Sequence, residues 1–429
     1  MHINAIYTYL FYFLLIALFV DGALPQLQYL LFGEVILYSV FIKILLLATV
    51  LASFFGQLRK ETPNHILSWI HNHAIVTMLW AALLIYFGFD WFHLRSKIPT
   101  IYYIFSLNAY YYYLLLLPFA IFIRMDVRSV SKYLFIIAVP LSIFGILQYI
   151  LNEPLAYMGD NESYFEVANW NYFGRLRAFS LFNYSGGFGY FLAILVCFYF
   201  HYLIFEKGIR RLPMLLLIVA TIFTIYITFT RAAYIAAGMS LLTATLLVIR
   251  DKIKYGNHLI KVLPVVYLCI SFIIVNEGSF VNVPHSSLLS NVSLLMRYNQ
   301  WLHVSELWLD KGIANILFGV GLIQNGRFEL TKGLIIDNAY LAIGLHVGLI
   351  GLILWFLIMW SLWSCLLSLQ QRAQDNPVLF CAVAFWSTWM ATGVFAITTT
   401  IYPIIAMIAL PTLRPDLLFP EASTVENRS

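Results

Sequence analysis

The chain has 429 residues, of which 62% are hydrophobic and 10% charged, and a formal net charge of +5. A soluble domain carries roughly 25% charged residues, and a mean hydropathy of +0.84 is too high for one soluble core, so the surrounding solvent must be lipid. The small net charge, with no basic run longer than a few residues, gives no nucleic-acid-binding patch.

A helix needs about 20 apolar residues to cross the hydrocarbon core. Runs of this kind lie at 3–20, 34–55, 73–89, 100–122, 131–151, 186–205, 212–229, 231–249, 259–275, 339–366, 378–396 and 399–413, which predicts about twelve transmembrane helices. No Lys or Arg precedes the first run and no small-residue cleavage site follows it, so it reads as a retained span and not a signal peptide. The expected fold is an all-α polytopic membrane protein, with residues 1–429 forming one integral membrane domain. Aromatic residues make up 17% of the chain and should gather where the bilayer meets water. Cys197, Cys269, Cys365 and Cys381 all fall in apolar runs without metal-ligand spacing and read as small buried hydrophobes.

Loop charge sets the orientation. With the N-terminus in the cytoplasm, the cytoplasmic connections and tail carry fifteen Lys and Arg, the outer connections nine, and only Lys43 lies inside a span. The outer charges sit almost wholly in two long loops, 152–185 and 276–338. Both termini are then cytoplasmic. Long loops in an economical membrane protein are usually functional. The second contains an amphipathic stretch, Leu294 to Leu309, suited to lying along the membrane surface or over a cavity.

Four groups of residues could carry chemistry. Arg175 and Arg177 precede Ser-Gly-Gly-Phe-Gly at 185–189, where glycines allow close backbone approach and a starting helix presents unpaired N–H groups; the plain alternative is a flexible loop. Arg231 stands in Thr228-Phe-Thr-Arg-Ala-Ala-Tyr234, between two apolar runs. It either snorkels to the interface or offers a planar donor fork to a phosphate. Arg297 and Trp301 are four apart, hence on one helical face, ahead of Phe318-Gly-Val-Gly321; a solvated surface helix would look the same. Asp337, Asn338 and Tyr340 open the tenth span, where Asp and Asn either cap the helix or meet a sugar hydroxyl. Asp160 and Glu162 are spaced to hold a divalent ion, a pattern that is common by accident. No Walker A motif and no His/Cys ligand set is present, and no cofactor or metal is expected.

Taken in order, the Arg-rich segment with Asn-Tyr-Ser-Gly, Thr-Arg-Ala-Ala at a helix junction, Arg…Trp before Gly-Val-Gly, and Asp-Asn-Ala-Tyr-Leu resemble the O-antigen ligase/polymerase superfamily of bacterial glycan enzymes over about residues 170–365. The resemblance implies a GT-C-like helical fold in the bacterial inner membrane, with a large periplasmic loop and the active site on the periplasmic side. The implied substrate is a glycan on undecaprenyl diphosphate. The implied partners are an acceptor glycan, a chain-length regulator and membrane lipids. Arg231 corresponds to the arginine that engages the lipid diphosphate and Arg297 to its helper in the loop. Arg175 and Gly186 have the Arg, ten residues, Gly spacing of polymerase loops. Asp337 stands where ligases that join O antigen to lipid A core have a histidine, which favours the polymerase branch. Arginines can stabilise a leaving diphosphate without a metal, and attack by the acceptor hydroxyl from the opposite face inverts the anomeric centre, with Asp337 as base. The competing readings are a ligase delivering glycan to lipid A core or protein, a flippase for the same lipids, and a metal-dependent transferase using Asp160 and Glu162. A flippase usually shows internal repeats, and none is seen here.

Overall fold

A computed structural model describes residues 8–14, 39–58, 74–94, 100, 103, 111–120, 123–153, 171–172, 175–182, 185–206, 211–280, 292–310, 312–320, 338–395 and 401–413. Apolar runs become helices because a backbone in lipid must satisfy its own N–H and C=O groups. In chain order these are α1 (Ser39–Leu58), α2 (Ala74–Leu94), α3 (Tyr112–Ala120), α4 (Val127–Leu151), α5 (Ser185–Phe205), α6 (Arg211–Ile227) and α7 (Arg231–Ile249). They continue as α8 (Gly256–Phe280), α9 (Val292–Asp310), α10 (Ile313–Phe318), α11 (Ala339–Arg372), α12 (Pro377–Trp386), α13 (Trp389–Phe395) and α14 (Ile401–Ala409). One departure from an all-helical chain is a two-stranded hairpin, β1 (Asn171–Tyr172) against β2 (Arg175–Leu176), inside the first long loop.

Among the described residues, six helices are long and apolar enough to cross a membrane, or seven if the bent pair α12–α13 is one span. The chain is thus an all-α polytopic membrane protein. Most of the expected span at 3–20 and about half of that at 100–122 lie outside the described residues, while α1, α6 and α14 supply shorter apolar segments. The last helices correct the sequence reading most. The expected span 378–396 is two helices meeting at 52°, and 339–366 runs on to Arg372 with a kink at Gly348.

The packing centres on α5. Some 72% of its apolar window is buried, against 11% for α2, and its neighbours are α6, α7 and α12. The outward faces of α2, α4, α6 and α8 carry exposed Ile85, Phe89, Ile143, Leu216, Val219 and Phe272, as lipid contact demands. Two cysteines depart from expectation: Cys197 and Cys381 are buried, but Cys269 is exposed and Cys365 half-buried. Lys43, the one cation placed inside a span, lies 5.8 Å from the Tyr113 ring centre, so its charge meets an aromatic face.

Two helix breaks are stitched by side chains and close backbone contact. At the α12–α13 bend, Ser387 Oγ lies 2.7 Å from Thr243 Oγ1 of α7, which lies 2.9 Å from Tyr267 Oη of α8. Thr388 and Thr392 share hydrogen bonds with Tyr402 of α14. At Gly348 (φ 66°) the α11 backbone turns out of the helix and meets Gly319 (φ 80°), just past α10. Here Val320 N–H donates to Leu345 O at 2.8 Å, and Tyr86 of α2 donates to both Phe318 O and Val347 O. A Cβ on Gly319 would lie 2.2 Å from His346 O, and one on Gly348 would lie 2.3 Å from Leu317 O. Only glycine fits at either position, which explains Gly319, the first glycine of the Gly-Val-Gly motif, as part of a backbone crossing.

Replacing Gly348 or Gly319 with Ala should lower the melting midpoint of the purified protein clearly. Each site adds a left-handed penalty of about 1–3 kcal/mol to a backbone clash. Gly238→Ala, in open space on α7, should leave the midpoint unchanged or raise it slightly, because Ala is the better helix former. Equal midpoints for all three would refute the crossing.

Candidate functional site

Hydrogen bonds between helices define the two ends of the bundle. His201, late in α5, has Nε2 3.4 Å from Gln374 O just after α11. Arg250, after α7, donates from its guanidinium to Gln370 Oε1 at 2.9 Å and pairs with Asp251 at 3.1 Å. The C-terminal ends of α5, α7 and α11 are therefore level. It follows that Ser185 and Arg231, where α5 and α7 begin, share the opposite end, while the kink at Gly348 turns the start of α11 back so that the Tyr340 ring lies 6.1 Å from that of Trp355.

That opposite end is organised by Gln148, a fully buried amide one turn before the end of α4. Its Oε1 accepts from Ser180 N–H at 2.7 Å and Phe179 N–H at 3.3 Å, and its Nε2 donates to Ser180 O at 3.0 Å. Ser180 has φ 53° and donates its hydroxyl to Leu141 O. Asn152, left-handed after α4, accepts from Leu176 N–H at 2.7 Å. The arginine segment 175–182 is thus laid onto the end of α4, not left as a loose loop.

The same segment reaches the α6–α7 turn through Ala178 N–H, which donates to Ile227 O at 3.0 Å. The turn is tight. Thr228 closes back on Ile225 O, Phe229 sits at φ 48°, and Thr230 donates to Ser185 Oγ at 3.1 Å. Gly189 lets α5 and α7 touch there, since a Cβ on it would meet Ala233 Cβ at 2.5 Å. Arg177, Ser185 and Arg231 accordingly flank one junction. Arg231 and Arg177 are half-buried, and Arg175 is exposed with its guanidinium 6.0 Å from the Tyr149 ring centre. The α6–α7 junction is a three-residue turn between helices that run in opposite directions, so Arg231 stands at the bundle end and not within a continuing helix.

The described part of the second long loop packs against the start of α11. In α9, Val304 is buried against Ala342 and Leu345 of α11, and Trp308 packs over Gly344. Trp301 lies on the same stripe, half-buried, and its indole N–H has no hydrogen-bond partner among the described residues. The amphipathic helix was expected at the surface or over a cavity; it packs against the first turns of α11. Arg297 is on this helix. Asp337, Asp160 and Glu162 lie outside the described residues.

Asn338 caps α11: its side chain accepts from Tyr340 N–H at 2.9 Å and Leu341 N–H at 3.1 Å, and donates to Val394 O at 3.3 Å. Tyr340 donates to Met390 O at 2.7 Å. These atoms hold α11 to α13. Sequence reading missed Gln148, while Ser185 and Thr230 stood in segments it singled out without a role of their own. A lone amide in an apolar run was the available signal, because polar groups inside a membrane are expensive and find partners.

The charges divide between the two ends. Arg124, Arg128, Arg211, Arg250, Lys254 and Arg372 belong to the end away from Arg231. No family model and no curated protein matches the chain.

Gln148→Leu keeps the side-chain volume and strands three backbone groups of 179–180. Each stranded group costs on the order of 1–3 kcal/mol. Amide exchange over 176–182 should then speed up strongly while α12 stays protected. Unchanged exchange in that segment would show that Gln148 does not hold it.

Proposed function

We propose that this protein is a glycosyltransferase of the O-antigen ligase/polymerase kind, acting on a glycan carried by undecaprenyl diphosphate. The observation that carries the reading is the convergence of the Arg175–Arg177 segment, the start of α5 and Arg231 on one junction, at the bundle end away from most of the basic residues. Under the positive-inside rule the arginine-bearing end is periplasmic in the bacterial inner membrane, and the full count is about twelve spans in a GT-C-like arrangement.

The chemistry follows from charge. A diphosphate leaves an anomeric carbon readily when its developing negative charge is met by fixed cations in a site of low dielectric. Guanidinium groups do this with a planar fork that matches phosphate oxygens. Arg231, held at the first turn of α7, takes the diphosphate. Arg177 lies beside the same junction, and Arg297, carried on α9, is assigned the role of its helper. The acceptor hydroxyl attacks from the face opposite the leaving group, so the anomeric configuration inverts. Its proton passes to a base, for which Asp337 is the candidate. Asn338 and Tyr340 keep the start of α11 in place for this. The polymerase reading, in which a growing chain moves onto the next lipid-linked repeat unit, is preferred over the ligase reading because Asp337 replaces the ligase histidine.

The test is a deletion strain complemented with wild type, Arg231→Ala or Arg297→Ala, with the surface glycan resolved on a gel. A polymerase predicts a single repeat unit on the acceptor in the deletion strain and a restored ladder with wild type. Arg231→Ala should cut long-chain product on the order of 10²-fold, the usual loss for one charge-stabilising donor. Loss of all attached glycan, with long chains piling up on the carrier, would assign a ligase. An unchanged ladder with both arginine variants folded in the membrane would end the diphosphate-clamp mechanism.

A further inference from the structure

Beside the arginine junction lies a group of aromatic rings that the clamp does not use. Phe229 is at φ 48°, a conformation a bulky residue adopts only under constraint. Its ring lies 6.0 Å from that of Tyr149 and 6.1 Å from that of Tyr226. Tyr226 in turn stacks on Tyr234, whose hydroxyl donates to Tyr226 O at 2.6 Å. Arg175 stands over Tyr149. Tyr226 is 46% exposed and ends the outward stripe of α6 that runs through Leu212, Leu216, Val219 and Phe223. The rings therefore sit where a lipid-facing helix surface meets a cationic turn.

We propose that this aromatic collar seats the first sugar of the lipid-linked substrate, an inference that rests on the diphosphate reading above. A substrate with a prenyl tail arrives sideways from the bilayer. Its tail lies along the outward stripe of α6, its phosphates meet the arginines at the junction, and the sugar next to the phosphates falls against the rings. An aromatic face accepts the C–H face of a pyranose while its edge stays near water. The strained Phe229 fixes the neighbouring Tyr149 and Tyr226 rings in place, so the seat exists before substrate comes. Stacking of this kind reads the presence of a sugar ring and tolerates differences between sugars.

The test uses the full-length protein in nanodiscs and two probes: a polyprenyl diphosphate, and the same lipid carrying one N-acetylglucosamine. Wild type should bind the sugar-bearing probe about two- to tenfold more tightly, as aromatic stacking provides. Tyr226→Leu and Tyr149→Leu should lose that increment and keep the affinity for the bare diphosphate, while Tyr226→Phe keeps both. Arg231→Ala should weaken both probes alike. The collar is overturned if the sugar adds no affinity in wild type, or if the increment survives both Leu variants while the diphosphate still binds. If wild type binds neither probe, the diphosphate reading itself fails, and the collar assignment falls with it.

Discussion

Inside a bilayer there is no water to satisfy a peptide group, so every interruption of a helix must be repaired by the protein itself. The architecture here can be read as the set of those repairs. At Ser387 and Thr388 the repair is a chain of hydroxyls drawn from α7, α8 and α14. At Gly348 it is the backbone of another segment, brought in beside α10 and held by one tyrosine from α2. Each repair joins helices distant in sequence, so the breaks bind the bundle together.

The candidate site depends on the same rule at the membrane edge. Segment 175–182 has no regular partner beyond a two-residue strand, and it lies against buried helix ends. Gln148 and Asn152 provide the hydrogen bonds that let it stay there. Once the segment is fixed, Ala178 can pin the α6–α7 turn, and Arg177 and Arg231 become neighbours of one junction. A flexible loop could carry the same arginines but would have to lose conformational freedom each time it met a ligand. Fixing them in advance moves that cost into folding.

Much of this was legible in the sequence. Hydropathy placed α4 through α8 within a few residues, because the length of an apolar run is set by bilayer thickness. The arginine at 231 was recognised as lying between two apolar runs, since a cation in such a place is costly. What stayed hidden was of another kind. Ser387 and Thr388 do not interrupt hydropathy enough to reveal a 52° bend, because a hydroxyl can bond back to its own helix and pass as apolar. Gly348 is one glycine in a run that also contains Gly344 and Gly351, and only the approach of Gly319 singles it out. The cap at Asn338 was foreseen as one of two options. Its bond to Val394 was not, because it joins residues 56 positions apart.

The burial of α5 bears on how such a chain is made. Its main partners are α6 and α7, which follow it directly, and α12, which the ribosome produces much later. Tyr190 and His201, both buried, cannot find their final surroundings until α12 has entered the membrane, because their rings pack against Phe385 and Phe380. Domains and bundles usually assemble as their parts emerge during synthesis. Here the central helix has to wait for a late segment to complete its surroundings. During that interval its open face is available to lipid or to an insertion factor, and biogenesis is the stage at which a fault in the C-terminal helices would be felt in the middle of the protein.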